Sequence, residues 1–64
     1  MWYFVEYNGK LIKATKRLKP ALAFISRKGL QDDADNVLRL VDSTGEMYDP
    51  IDGNPIDISL FSSK

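Results

Sequence analysis

The stretch that decides the fold is residues 2–15, WYFVEYNGKLIKAT, in which two strand-like runs flank Asn8-Gly9. Asn-Gly between two such runs is the strongest short-range hairpin signal, because a type I′ turn needs a positive φ at both central positions. The sequence therefore predicts a β-hairpin formed by residues 2–7 and 10–15.

The turn also predicts which residues of the two strands face each other. On one surface we expect Tyr7 opposite Lys10, Val5 opposite Ile12 and Tyr3 opposite Ala14, and on the other Glu6 opposite Leu11, Phe4 opposite Lys13 and Trp2 opposite Thr15. The side chains of the first surface are small and β-branched enough to pack under a helix. The second surface then leaves Trp2, Phe4 and Leu11 in need of a cover.

A helix is predicted from Lys19 to Lys28. Pro20 suits its first turn, where a missing N–H has no partner, and Gly29 suits the left-handed position just past its end. Phe24 and Leu30 flank a stripe of apolar residues at helical spacing, which we expect to be buried: Leu18, Ala21, Leu22 and Ile25.

The next apolar run, residues 37–41, fits both a strand and a helix template. Residues 42–46 favour the strand, because they are typical of a type I turn with Gly45 in the left-handed conformation, which joins antiparallel strands. Met47 and Tyr48 form the predicted returning strand. The alternating run 56–60 is expected to add an edge strand or to drape over the core, and residues 61–64 are expected to fray.

With 64 residues there is room for one domain, residues 1–64. The predicted fold class is α+β, a small antiparallel sheet in ββαββ order with one helix packed on one face. The chain has no histidine and no cysteine. Since these supply the commonest bases, thiol nucleophiles and metal ligands, we expect no enzyme activity, no metal, no cofactor and no small-molecule substrate.

No apolar run reaches the roughly 18 residues needed to span a bilayer, so we expect no membrane partner and a cytoplasmic location. Two acidic runs, residues 32–36 and 49–57, do not have the spacing of a calcium-binding loop. Turn formation is the interpretation that accounts for both.

The charges sum to zero but are separated along the chain. Residues 10–28 hold seven basic residues and no acid, whereas residues 32–57 hold eight acids and Arg39 as the one base. These blocks either offset each other within the fold or steer a charged partner.

An apolar surface that lacks a cover usually marks an interface. Trp2, Phe4 and Leu11 are covered either by the chain itself, through Ile56, Ile58, Leu60 and Phe61, or by a second copy, or by another protein. The predicted partner-binding surface is Trp2, Phe4, Leu11 and Lys13, with Lys16, Arg17, Arg27 and Lys28 as steering charges.

The predicted function is a small non-enzymatic protein-interaction module that regulates or inhibits a larger partner, with a homodimer as the other form of contact. Single-stranded nucleic-acid binding by the same basic and aromatic surface is the alternative, and a sequence pI of about 6.1 counts against it. The small size and neutral charge resemble those of bacterial or phage accessory proteins in general. That resemblance is one of type and assigns no residue.

Overall fold

A computed structural model of the chain describes residues 1–56. Its elements are strand β1 (Tyr3–Tyr7), strand β2 (Lys10–Thr15), helix α1 (Leu18–Lys28), strand β3 (Leu38–Asp42) and strand β4 (Met47–Tyr48). The four strands form one antiparallel sheet in the order β2-β1-β3-β4. The predicted α+β class and ββαββ order are confirmed, and residues 37–41 belong mainly to a strand.

The β1–β2 turn has the predicted geometry, with φ of 53° at Asn8 and 81° at Gly9. Asn8 also forms hydrogen bonds with the residue that precedes β3, a contact that the sequence did not indicate. Its N–H donates to the Val37 carbonyl at 2.8 Å, and its side-chain Oδ1 accepts from the Val37 N–H at 2.8 Å. The turn residue therefore fixes the start of β3 beside the hairpin.

The hairpin register is confirmed next to the turn and wrong beyond it. Tyr7 faces Lys10 and Glu6 faces Leu11, as expected, but a β-bulge follows. Ile12 is the extra residue on β2, so each later pair moves by one position. The observed pairs are Val5 with Lys13, Phe4 with Ala14 and Tyr3 with Thr15.

The bulge overturns the predicted faces of β2, because one extra residue reverses the alternation of side chains. Ile12 and Ala14 were expected in the core, yet both are exposed. Thr15 takes the inward position and is 8% exposed. Its hydroxyl donates to the Arg17 carbonyl at 2.6 Å, which compensates for placing a polar group there.

Helix α1 begins one residue before the predicted start and ends where predicted. Gly29 has φ of 68°, its N–H donates to Ser26 O, and the Leu30 N–H donates to Ile25 O. This pair of bonds is a Schellman cap, which satisfies carbonyls that would otherwise lack partners. Of the predicted stripe, Ala21 and Ile25 are buried, and the other members are partly buried.

The core lies between α1 and one face of the sheet, and its largest fully buried side chains are Val5, Ile25 and Leu40. Fully burying an aliphatic side chain stabilises the folded state by about 1.5–3 kcal/mol. The helix packs on β1 and β2. The helix also meets buried Gly53, where a Cβ would lie 2.7 Å from a methyl carbon of Leu22.

The turn between β3 and β4 is organised by the carboxylate of Asp42, which is 4% exposed. Its Oδ1 accepts from the N–H groups of Thr44 and Glu46, at 2.8 and 3.1 Å, and from the Thr44 hydroxyl. Gly45 has φ of 93°, as the predicted turn requires.

The acidic runs form turns, as interpreted from the sequence. Asp33 Oδ1 accepts from the N–H groups of Asp35 and Asn36, both at 2.9 Å. Asp49 Oδ1 accepts from the Ile51 N–H at 2.8 Å in the same way.

After β4 the chain returns to the sheet edge, where Pro55 forms a bridge with Tyr48 and the Ile56 N–H donates to Met47 O at 2.9 Å. The predictions for Ile58, Leu60 and Phe61, and for fraying at 61–64, lie outside the described residues.

Candidate functional site

The sheet has a face that packs under α1, called here the covered face, and a face opposite the helix, called the outer face. Because Val5 and Leu40 point to the covered face, their neighbours along each strand point away from it. The outer face comprises Trp2, Phe4, Glu6, Leu11, Ala14, Arg39, Val41 and Met47.

An apolar row crosses the outer face from one edge of the sheet to the other. Phe4 on β1 lies opposite both Ala14 on β2 and Val41 on β3, and Val41 lies opposite Met47 on β4. Phe4, Val41 and Met47 are half-buried and Ala14 is exposed. Directly opposed side chains on one face contact each other, so the row forms one continuous apolar strip.

Trp2 lies beside this strip, two residues before Phe4 along the chain, and is 43% exposed. Lys16 Nζ is 5.5 Å from the centroid of its ring, within the range of a cation–π contact. The Trp2 backbone is also held, since its carbonyl accepts from the Ser43 N–H at 2.9 Å. On the opposite side of the strip, two residues after Phe4, Glu6 faces Arg39 across the strands, and Leu11 is 56% exposed.

The structure brings some of the predicted surface residues together and separates others. Trp2, Phe4 and Leu11 share the outer face, as predicted. Lys13 was expected beside Phe4 but lies on the helix side of the sheet, because the bulge at Ile12 reverses its direction. Lys13 Nζ is 5.5 Å from the centroid of the Phe24 ring.

The remaining steering charges lie on or beside the helix. Lys28 Nζ is 6.0 Å from the Phe24 centroid, so Lys13 and Lys28 approach the same half-buried ring. Arg17 occupies the N-cap position of α1 and Arg27 lies in its last turn, and both are exposed. Six of the eight predicted residues therefore lie in two clusters, one on each side of β2, and Arg17 and Arg27 lie outside both.

Sequence reasoning missed the outer-face residues that come from other strands, namely Ala14, Val41 and Met47. Val41 and Met47 alternate with inward-pointing Leu40 and Tyr48, which was a usable signal once β3 and β4 were taken as strands. Ala14 carried no such signal, because its direction depends on the bulge.

A group of hydrogen-bonded polar side chains lies on the covered face near the end of β3. The Tyr48 hydroxyl donates to Asp42 Oδ2 at 2.6 Å, and the rings of Tyr3 and Tyr48 meet edge to face at 5.6 Å between centroids. Hydrogen bonds from Thr44 and Tyr48 lower the pKa of Asp42 to about 2. The bonded carboxylate raises the pKa of the Tyr48 phenol above its ordinary value. These bonds serve the turn, and Asp42 is held as an anion.

A cleft of about 260 Å³ lies between the second half of α1 and residues 50–51, lined in part by Leu22, Ile25, Leu30 and Ile51. It is smaller than typical small-molecule pockets, and its lining carries no ionisable side chain. Within residues 1–56 no group of three or more histidine, cysteine or acidic side chains could hold a metal ion. In the same part of the chain, no helix has the length and apolar character required to cross a membrane.

Comparison with known proteins finds no matching family model, no similar curated protein and no similar solved structure. The fold and the surface define the class: a small α+β protein whose sheet has one face packed against a helix and an apolar face opposite to it.

Proposed function

We propose that the protein is a small non-enzymatic interaction module that binds another protein through its outer face and acts by occupying that partner. The observation that carries the proposal is the exposed Trp2 beside the apolar strip, on a domain whose core is already formed on the other face. Tryptophan is enriched among residues that dominate binding energy at interfaces.

Charge supports a protein partner over nucleic acid. The nucleic-acid alternative relied on lysine beside the outer-face aromatics, but Lys13 is directed to the helix side. The outer face retains Lys16 and Arg39 as cations, and Arg39 faces Glu6. A surface with so little excess positive charge suits the polar rim of a protein interface better than a track for phosphates.

The first test separates interface from core by stability. Trp2→Ala combined with Phe4→Ala should lower the free energy of unfolding by less than about 2 kcal/mol, since Trp2 is 43% exposed and Phe4 is half-buried. Val5→Ala on the same strand is the matched control for a covered-face position. Urea unfolding measures both, and a loss of about 3–5 kcal/mol for each aromatic residue would mean that they are core.

The second test identifies the occupant. A photo-crosslinking amino acid at Leu11 should capture one protein from an extract of source cells, whereas the same group at exposed Ala23 on the helix should not. The captured protein, once purified, should bind about thirtyfold more weakly to the Trp2→Ala variant, as expected for loss of an aromatic anchor. Equal capture from both positions would contradict the proposal. So would capture of nucleic acid, or of a second copy alone with a doubled solution mass.

A further inference from the structure

Within residues 1–56, strand β2 lies at an edge of the sheet and has β1 as its neighbour in the sheet order. Its residues 10–14 are all exposed, and Thr15 is the one buried member. An edge strand presents unpaired backbone N–H and C=O groups that can pair with another extended chain. The edge is therefore a second surface, continuous with the outer face but different from it in chemistry.

The side chains along this edge are basic on both faces of the sheet. Lys16 lies beside Trp2 on the outer face, and Lys13 lies beside Phe24 on the helix side. Lys28 approaches the Phe24 ring from the helix, which adds a third cation at this edge. Residues 10–28 themselves contain no acid, and Glu6 on the neighbouring strand faces Arg39.

We propose that the β2 edge accepts an acidic, extended segment of the partner protein as an added antiparallel or parallel strand. In such a strand, alternate side chains point to opposite faces. One set would meet Trp2 and Lys16, and the other would meet Lys13, Phe24 and Lys28. Because cations lie on both sides, the segment that fits carries carboxylates on both of its faces.

The same lysines argue against a second copy at this edge. Two identical β2 edges placed together would bring like charges into contact, and lysines on edge strands are a known means of preventing that pairing. The bulge at Ile12 bends the strand and interrupts its ladder. The regular stretch beyond it, residues 13–15, is the template for the added strand.

This inference rests on the proposed function, because it names the chemistry of the partner and the way it docks. The test uses the full chain, isotope-labelled for NMR, and a capped peptide of about ten residues in which pairs of acidic residues alternate with pairs of Val or Ile, so that both faces of the extended peptide carry carboxylates. At low salt the peptide should bind, and the outward-pointing amides of residues 13–15 should exchange with solvent at least about tenfold more slowly.

Three kinds of comparison probe isolate the cause. A peptide with lysine in place of each acid should not bind, because it repels the edge. Of two peptides, each with one of the two alternate sets of backbone amides N-methylated, the one whose methylated amides face β2 should lose binding, because it keeps its charge but cannot complete the ladder. An oligothymidylate of the same length should bind more weakly than the acidic peptide.

Two charge reversals provide matched protein variants. Lys13→Glu should weaken peptide binding by about tenfold or more, whereas Lys19→Glu, an equal charge change on the exposed first turn of α1, should weaken it by less than about threefold. The folded state of both variants is checked by their amide spectra.

The inference is wrong if no binding is seen up to about 1 mM peptide, or if both N-methylated peptides keep the affinity of the unmodified one. Equal binding of the oligothymidylate also overturns it, since the edge would then be a general polyanion site. If the peptide shifts the signals of Phe4 and Val41 but leaves exchange in β2 unchanged, the edge inference fails and the outer-face proposal stands. Failure of position-specific crosslinking at Leu11 is the separate result that removes the proposed function.

Discussion

The two faces of the sheet are built from the same strands and have different roles. On the covered face, Val5 and Leu40 oppose each other and are fully buried beneath α1. One residue along, Phe4 and Val41 oppose each other on the outer face and stay half-buried. Apolar character is similar in the two pairs. The difference shows that the position of the helix, rather than the hydrophobicity of a strand, decides which residues form the core.

The largest expected loss of stability comes from a substitution on the covered face. Leu40→Ala should lower the free energy of unfolding by about 2–5 kcal/mol, because it opens a cavity at a fully buried site. Val41→Ala, the adjacent residue on the outer face, should lower it by about 1 kcal/mol or less. Urea denaturation of both variants measures the contrast. Equal losses would show that the outer face is as tightly packed as the core.

An intermediate effect is expected at Gly53, which lies against Leu22 of the helix. Gly53→Ala should destabilise the protein by about 1–3 kcal/mol, because the residue has φ of 80° and its new Cβ would lie 2.7 Å from a Leu22 methyl.

The matched control for this prediction is Gly9→Ala. Gly9 has φ of 81°, but a Cβ there meets nothing within 4 Å, so this variant reports the backbone strain alone. Thermal unfolding of the two variants then isolates the contact with Leu22. Identical losses for the two variants would show that no steric contact contributes at Gly53.

The smallest expected effect concerns Asp42, the polar residue at the end of β3 on the covered face. The pKa of Asp42 is about 2 in the folded protein, against an ordinary value of 3.8, so its carboxylate stabilises the fold above about pH 4. This contribution should disappear as the pH falls from about 4 through 2, because protonation removes the charge that accepts the hydrogen bonds.

Asp42→Asn tests this prediction through the difference in melting temperature between the wild type and the variant. The difference should be constant near neutral pH and shrink on acidification through that window. In the wild type, one tyrosine should also ionise above the usual range, as followed by ultraviolet absorbance, because Asp42 raises the pKa of Tyr48. A melting difference independent of pH would contradict the role assigned to the carboxylate.

Local chemistry accounts for what could be predicted from the sequence. The turn between β1 and β2 and the end of α1 could be predicted from Asn8-Gly9 and Gly29. Positive φ and helix capping depend on only a few neighbouring residues. The strand over residues 37–41 could be chosen correctly because the turn after it was recognisable. Alternation along β1 then separated Trp2 and Phe4 from the core.

The errors have non-local causes. The bulge at Ile12 has no clear sequence signal, since an unbulged strand would place apolar Ile12 and Ala14 inward. The observed register instead buries Thr15 and satisfies its hydroxyl locally. The apolar strip was incomplete for a related reason, because Val41 and Met47 reach it through pairing between strands that are distant in sequence. The hydrogen bond between Asn8 and Val37 also joins residues that are distant in sequence.

The bulge has a consequence for how this chain tolerates changes in length. Every pair between β1 and β2 is made by residues other than Ile12. A chain from which Ile12 is deleted can therefore keep all five pairs and the same side-chain directions, with a straighter edge strand as the result. Position 12 is thus a point within a regular element at which one residue can be removed while Leu11 and Lys13 keep their places.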